Sequence, residues 1–95
     1  MHIVVRRYTG ASALVDAMVP REQEIRALLS TVPGFRAYYA ARMGGGDAVA
    51  TVTVCDDKAG TDESTRRASE WVRANMSGAS IPPPDVTEGE TYITF

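Results

Sequence analysis

Cysteine, histidine and tryptophan each occur once in these 95 residues, and each scarcity excludes something. Cys55 alone cannot form an intrachain disulfide, although a secreted domain of this size usually relies on such staples. One histidine, one thiol and acids at helical spacing do not make a transition-metal site, so no metal is expected. Positive charge is also short: ten Lys and Arg are interspersed among twelve Asp and Glu, for a net charge of −2. Without a basic face the chain lacks the counterion-release term on which nucleic-acid binding rests. Apolar runs never approach the ~18 residues of a membrane span. The apolar stretch within Met1–Arg7 is too short for a secretory signal, and charge follows it rather than preceding it. The expectation is a cytoplasmic protein with neither nucleic acid nor membrane as partner.

What is present is an ordinary globular composition, 44% hydrophobic and 23% charged, over a length that makes residues 1–95 one domain. The β-branched run from His2 to Tyr8 predicts a first strand, closed by Thr9-Gly10. Ser12 can cap a helix whose apolar residues Leu14, Met18, Ile25, Leu28, Leu29 and Val32 fall on a stripe of about 100°. Pro20 sits inside that stripe and should break the helix near Val19 without changing its phase. Glu22 and Arg26 are spaced as i,i+4 partners on the wet side, and Pro33-Gly34 ends the helix. Phe35–Met43 and Ala48–Cys55 read as strands joined by Gly44-Gly45-Gly46-Asp47, an antiparallel hairpin. Asp56 or Thr61 then caps a helix to about Met76, with ion pairs among Asp62, Glu63, Arg66, Arg67, Glu70 and Arg73. Its inner stripe of Ala59, Ser64, Ala68, Trp71, Val72 and Asn75 is thin, and Trp71 supplies most of its apolar area. From Ser77 to Val86 the chain reads as extended, with polyproline at Ile81-Pro82-Pro83-Pro84. Glu90–Phe95 reads as the last strand. The order β-α-β-β-α-β is the split pattern of the ferredoxin-like α+β fold, an antiparallel sheet with both helices on one face.

Two helices cover one side of a four-stranded sheet, and a side that faces water should alternate to polar residues. Here it does not. Ala48, Ala50, Val52 and Val54 point one way and Val49, Thr51, Thr53 and Cys55 the other, while Ile3 and Val5 oppose Val4. The second strand divides into Phe35, Ala37, Tyr39, Ala41 and Met43 against Arg36, Tyr38, Ala40 and Arg42. A sheet apolar on both faces needs a partner surface, and a two-fold homodimer is the commonest solution.

Val32-Pro33-Gly34-Phe35 between first helix and second strand, the element order, and a lone Trp late in the second helix resemble the antibiotic-biosynthesis-monooxygenase-like group of dimeric α+β barrel proteins. The resemblance implies that two ferredoxin-like sheets pair face to face into a barrel. It also implies a homodimeric small-molecule-binding protein, one that acts as a cofactor-independent monooxygenase on an aromatic or polyketide-like compound. Members with no known activity make a non-catalytic ligand-binding or stress-associated dimer the alternative. Haem-degrading members use a first-strand Asn, a helical Trp and a later His. Trp71 matches the second of these, the other two are missing, and no cofactor is expected.

Candidate ligand-binding residues are Trp71, Tyr38, Tyr39, Arg36 and Asn75, with catalytic residues unassigned. Trp71 can wall a pocket for a flat hydrophobic or aromatic ligand, or fill the core of an alanine- and serine-rich helix. Arg36, Tyr38 and Arg42 share one face, where a guanidinium beside a phenol can bind an anion; the alternative is cross-strand pairing with Glu88 or Glu90. Only one of Arg6 and Arg7 can join such a cluster, because they lie on opposite faces. His2 has the chemistry of a general base but stands at the chain's start, where fraying is normal. Cys55 has no neighbouring cation to activate it. Gly44-Gly45-Gly46 lacks the Lys-Ser/Thr ending of a phosphate loop. Asn75 lies one turn beyond Trp71, close enough to share its pocket.

Overall fold

The computed structural model describes residues 1–76, 78 and 81–95. Among these, four strands and a layer of helices follow in the order β1 (His2–Tyr8), α1 (Ser12–Met18), a 3-10 turn (Val19–Arg21), α2 (Glu22–Ser30), β2 (Phe35–Met43), β3 (Ala48–Cys55), α3 (Lys58–Asn75) and β4 (Asp85–Glu90). The sheet is antiparallel throughout, with spatial order β2-β3-β1-β4. This is the ferredoxin-like arrangement that the element order predicts.

Pro20 acts where the stripe places it. It occupies the start of the 3-10 turn, and Leu14 before the break and Ile25 and Leu29 after it are buried in one cluster. The helix is interrupted while its apolar phase is kept, because a 3-10 turn supplies the missing backbone bond without turning the stripe away. Glu22 and Arg26 do not pair; both border a cleft described below.

Caps differ from expectation. Ser12 opens α1 but does not cap it; Ala11 holds that position with no side-chain bond, and its N–H donates to the Asp47 carbonyl at 3.0 Å. The cap of α3 is Asp57, whose Oδ1 accepts the Gly60 N–H at 3.1 Å. It has the extended backbone that lets a side chain reach back over the first turn. Gly60 is there for space: a Cβ would lie 2.7 Å from Cys55 Cβ and 2.8 Å from the Pro33 carbonyl oxygen. Gly60, Thr61 and Ser64, all buried, bring the first half of α3 close to the sheet.

Two strand readings change. The register of β2 on β3 shifts between Phe35 and Ala37. That bulge moves Phe35 onto the side of Tyr38, where both pack against the core, and leaves Arg36 exposed. The last strand is Asp85–Glu90 rather than Glu90–Phe95, which also takes Val86 out of the expected extended crossing. Its end lies opposite the start of β1. His2 pairs with Glu90, and the Thr91 N–H then donates to the Met1 carbonyl at 2.9 Å. Tyr92, Ile93 and Phe95 stand exposed. Of the stretch read as extended, Ile81–Pro84 precedes β4 without regular structure, and residues 77, 79 and 80 lie outside the described set.

Helices cover the face formed by His2, Val4, Arg6 and Tyr8 of β1, Val49, Thr51, Thr53 and Cys55 of β3, and Phe35 and Tyr38 of β2. The other face, with Ile3, Val5, Ala37, Tyr39, Ala41, Ala50, Val52 and Val54, has no helix against it among the described residues.

Candidate functional site: the space between helices and sheet

The inner side of α3 is uneven. Small residues hold its first half against the sheet, while Trp71 occupies the second half. Three hollows lie between the helical layer and the strands. One is a cleft of about 500 Å³ at the β2 edge, reached between Met18, Glu22, Arg26, Phe35 and Tyr38. The next is a narrow gap of about 30 Å³ beside Trp71, Tyr8, Tyr38 and Thr51. The third, about 420 Å³, lies towards β4 and is lined by Arg6, Tyr8, Thr65, Arg73 and Ile81–Pro84. Tyr38 borders the first and second, and Tyr8 the second and third, so each phenol is shared by two hollows.

Trp71 is 8% exposed and belongs to the core cluster. Its indole N–H donates to Glu24 Oε1 at 2.9 Å, which ties α3 to α2. The ring thus fills core and borders the narrow gap at the same time. Tyr38 faces the helices, and burial pushes its phenol up to about 12, against a smaller opposing effect of Arg6. It is neutral at any ordinary pH. Tyr39 points to the opposite face and is 64% exposed. Arg36 pairs with Asp56 at the surface rather than with Glu88 or Glu90. Asn75 is exposed, its amide N–H donating to the Trp71 carbonyl at 2.9 Å. Of the five sequence candidates, the structure brings Trp71 and Tyr38 together and places Tyr39, Arg36 and Asn75 elsewhere.

His2 is held rather than frayed. It is buried between β3 and β4, with Nε2 2.9 Å from Glu88 Oε1, and it borders none of the three hollows. Cys55 is fully buried; burial, with Asp56 and Asp57 beside it, pushes its thiol up and away from reactivity. Among the described residues no three metal-ligating side chains come together, and no helix is long and apolar enough to cross a membrane.

Sequence reasoning passed over Arg6. It is the largest of the fully buried side chains, 1% exposed, in the sheet-to-helix core. Nε donates to Thr65 Oγ1 at 3.2 Å, Nη1 to Thr53 Oγ1 at 3.1 Å, and Nη2 to Ser64 Oγ at 2.9 Å and Thr65 Oγ1 at 2.8 Å. Burial lowers its pKa, with Tyr8 and Tyr38 nearby acting in the other direction; a guanidinium nevertheless stays charged. A signal was available: Arg6 shares strand parity with Val4, on the face that helices must cover.

No protein-family model matches the sequence, and no curated protein matches it either. Solved structures do resemble it. A monooxygenase of Streptomyces coelicolor, ActVA-Orf6, solved with the ligand nanaomycin D, superposes with a TM-score of 0.74 at 15% identity, over 99% of this chain and 89% of that one. A protein of unknown function from Nitrosomonas europaea gives 0.74 at 18% identity, over 99% and 91%. SnoaB of Streptomyces nogalater, a cofactor-independent oxygenase, gives 0.66 at 18%, over 98% and 94%. The chain therefore has the fold of the antibiotic-biosynthesis-monooxygenase-like proteins, and the resemblance read from its sequence holds at the level of fold.

Proposed function

We propose that this protein is a homodimer that takes a small hydrophobic or aromatic molecule between its helices and sheet. Its activity in this reading is cofactor-independent monooxygenation of an aromatic or polyketide-like compound. The observation that carries the reading is the interior space itself, bordered by Tyr8, Tyr38 and Trp71 in a fold shared with a monooxygenase and a cofactor-independent oxygenase. In such chemistry the substrate is its own reductant. A CH₂ between aromatic rings gives up a proton and then electrons to O₂; one oxygen atom becomes the new carbonyl and the other leaves as water. The protein's part is to hold the ring system, exclude bulk water and favour the deprotonated form.

Support for the dimer comes from the uncovered face. Val5, Val52 and Tyr39 lie side by side across β1, β3 and β2, with Ala37, Ala41 and Val54 around them, and no helix among the described residues covers them. Contiguous apolar surface of this kind marks an interface.

A second reading, a non-catalytic ligand-binding or stress-associated dimer, is favoured by one specific feature. Among the described residues that line the hollows, Glu22 is the sole carboxylate and there is no histidine, so no paired acid and base converge. Oxygen uptake by the pure protein with a hydroxyanthrone-type substrate separates the two. Uptake that falls at least tenfold in Trp71→Phe or Tyr38→Phe supports the oxygenase. Ligand-dependent melting shifts without uptake support the binder.

A further inference from the structure

We propose that Arg6 is the receptor for a negatively charged oxygen, carboxylate or phenolate, on an aromatic ligand seated in the hollow between α3 and Ile81–Pro84. The proposal deepens the small-molecule reading above and rests on it.

It starts from a charge without a partner. Removing a guanidinium from water costs several kcal/mol, and a buried arginine ordinarily recovers this from a carboxylate. Arg6 has instead three neutral hydroxyls, from Thr53, Ser64 and Thr65. Among the described residues no carboxylate pairs with Arg6; Glu63 pairs with Arg66 and Arg67, Asp62 with Lys58, and Glu88 with His2 and Lys58. Residues 77, 79 and 80, which precede the Ile81–Pro84 wall, are serine, alanine and serine, and so bring no carboxylate.

The hydroxyls orient the group without neutralising it. The Ser64 hydroxyl donates a hydrogen bond to the Thr61 carbonyl at 2.7 Å, which leaves its lone pairs for Nη2. The Nε and Nη2 edge is consumed by Thr65 and Ser64. Of five N–H donors, four are accounted for, and the fifth, on Nη1, has no partner among the described residues. Arg6 and Thr65 both line the hollow, and a guanidinium fixed this way in its wall is a preorganised site for a charge-assisted bond to an anion.

The hollow fits the rest of such a ligand. Its volume of about 420 Å³ lies within the ~300–1,000 Å³ usual for small-molecule sites. Tyr8, Val72, Ile81 and Val86 give it apolar walls, and Arg73, exposed and in no ion pair among the described residues, adds a second cation. A dianionic or strongly hydrated ligand would find too few polar groups here; a flat ring bearing one oxyanion matches the lining.

Calorimetric titration with 2-naphthoate, its neutral analogue 2-naphthamide, and 4-nitrophenol, which is coloured only as its phenolate, tests this. The expected result is at least tenfold tighter binding of 2-naphthoate than of the amide, falling to within about twofold in Arg6→Met. Colour development on binding 4-nitrophenol in the parent but not in Arg6→Met extends the assignment to phenolates. If Arg6→Met does not fold, the Arg6 Nε–H resonance of the parent serves: it should shift with 2-naphthoate and stay with the amide. Equal affinity for the two naphthalenes, a preference that survives Arg6→Met, or an unmoved resonance overturns the anion receptor while leaving the small-molecule reading intact. Failure of every probe to bind overturns both.

Discussion

The two faces of the sheet invert the usual distribution of polarity. Beneath the helices lie Thr51, Thr53, Arg6, His2 and two tyrosines; on the open side lie Ile3, Val5, Val52, Val54 and a row of alanines. A sheet that needed only to fold would bury its valines and expose its threonines. Placing hydroxyls and a cation inside costs stability unless each is satisfied, and each is: no buried side-chain N or O lacks a partner among the described residues. Polarity inside suits a binding space, and grease outside suits a surface awaiting cover.

Substitutions on either side can break or sharpen this contrast. The largest effect is expected from Val52→Arg, at the centre of the open face between Val5 and Tyr39. A charge buried without a partner at an interface costs about 3–5 kcal/mol, so the proposed dimer should weaken by roughly a hundredfold or more. Sedimentation equilibrium reads this, with circular dichroism unchanged; a parent that is already monomeric at micromolar concentration would remove the contrast altogether. On the covered side, Gly60→Ala should destabilise by about 2–3 kcal/mol in urea unfolding. The new methyl has only 2.7 Å to Cys55 Cβ, and overpacking reverses the usual gain of alanine in a helix. Unchanged or raised stability would mean that α3 does not sit this close.

Thr53→Val, nearly isosteric, takes an acceptor from Arg6 Nη1 and should cost about 1–2 kcal/mol by the same assay. An equally conservative Thr87→Val on the open face should cost nothing measurable. The smallest effect belongs to the solvent side of α3. Hydrogen bonds from Arg66 and Arg67 hold Glu63 down at about 2, below its ordinary 4.5. Because the folded value is the lower one, this contribution is complete above about pH 4.5 and is lost as pH falls towards 2. Exposure and salt keep it small. Glu63→Gln should flatten the melting temperature across that window; an identical acid profile in both proteins would show that the pairing contributes nothing.

Much of the frame was legible in the chain itself. The apolar stripe carried through Pro20, the hairpin followed from its glycine loop, and strand parity exposed the missing cover. What escaped has a common cause. Glu90–Phe95 looks like a strand because Thr, Tyr, Ile and Phe favour one, whereas Asp85–Glu90 has three acids and a glycine and does not. Pairing overrode propensity: Asp85–Glu90 is the segment that lies alongside β1 from Arg7 to His2. The Phe35 bulge escaped likewise, because an extra residue on one strand reverses facing without any mark in the local pattern. At the site, Trp71 and Tyr38 stood out by type. Arg6 did not, because an arginine on a strand normally signals exposure.

The sequence by itself determined the element order, the broken first helix and the excess of apolar strand surface, all of which follow from spacing within one segment. Tertiary structure decided where β4 runs, which residue caps α3, and that Arg6 rather than Arg36 enters the interior. Each of these depends on which distant segment arrives alongside. Propensity is a property of neighbours along the chain, while pairing, desolvation and charge compensation are properties of neighbours in space.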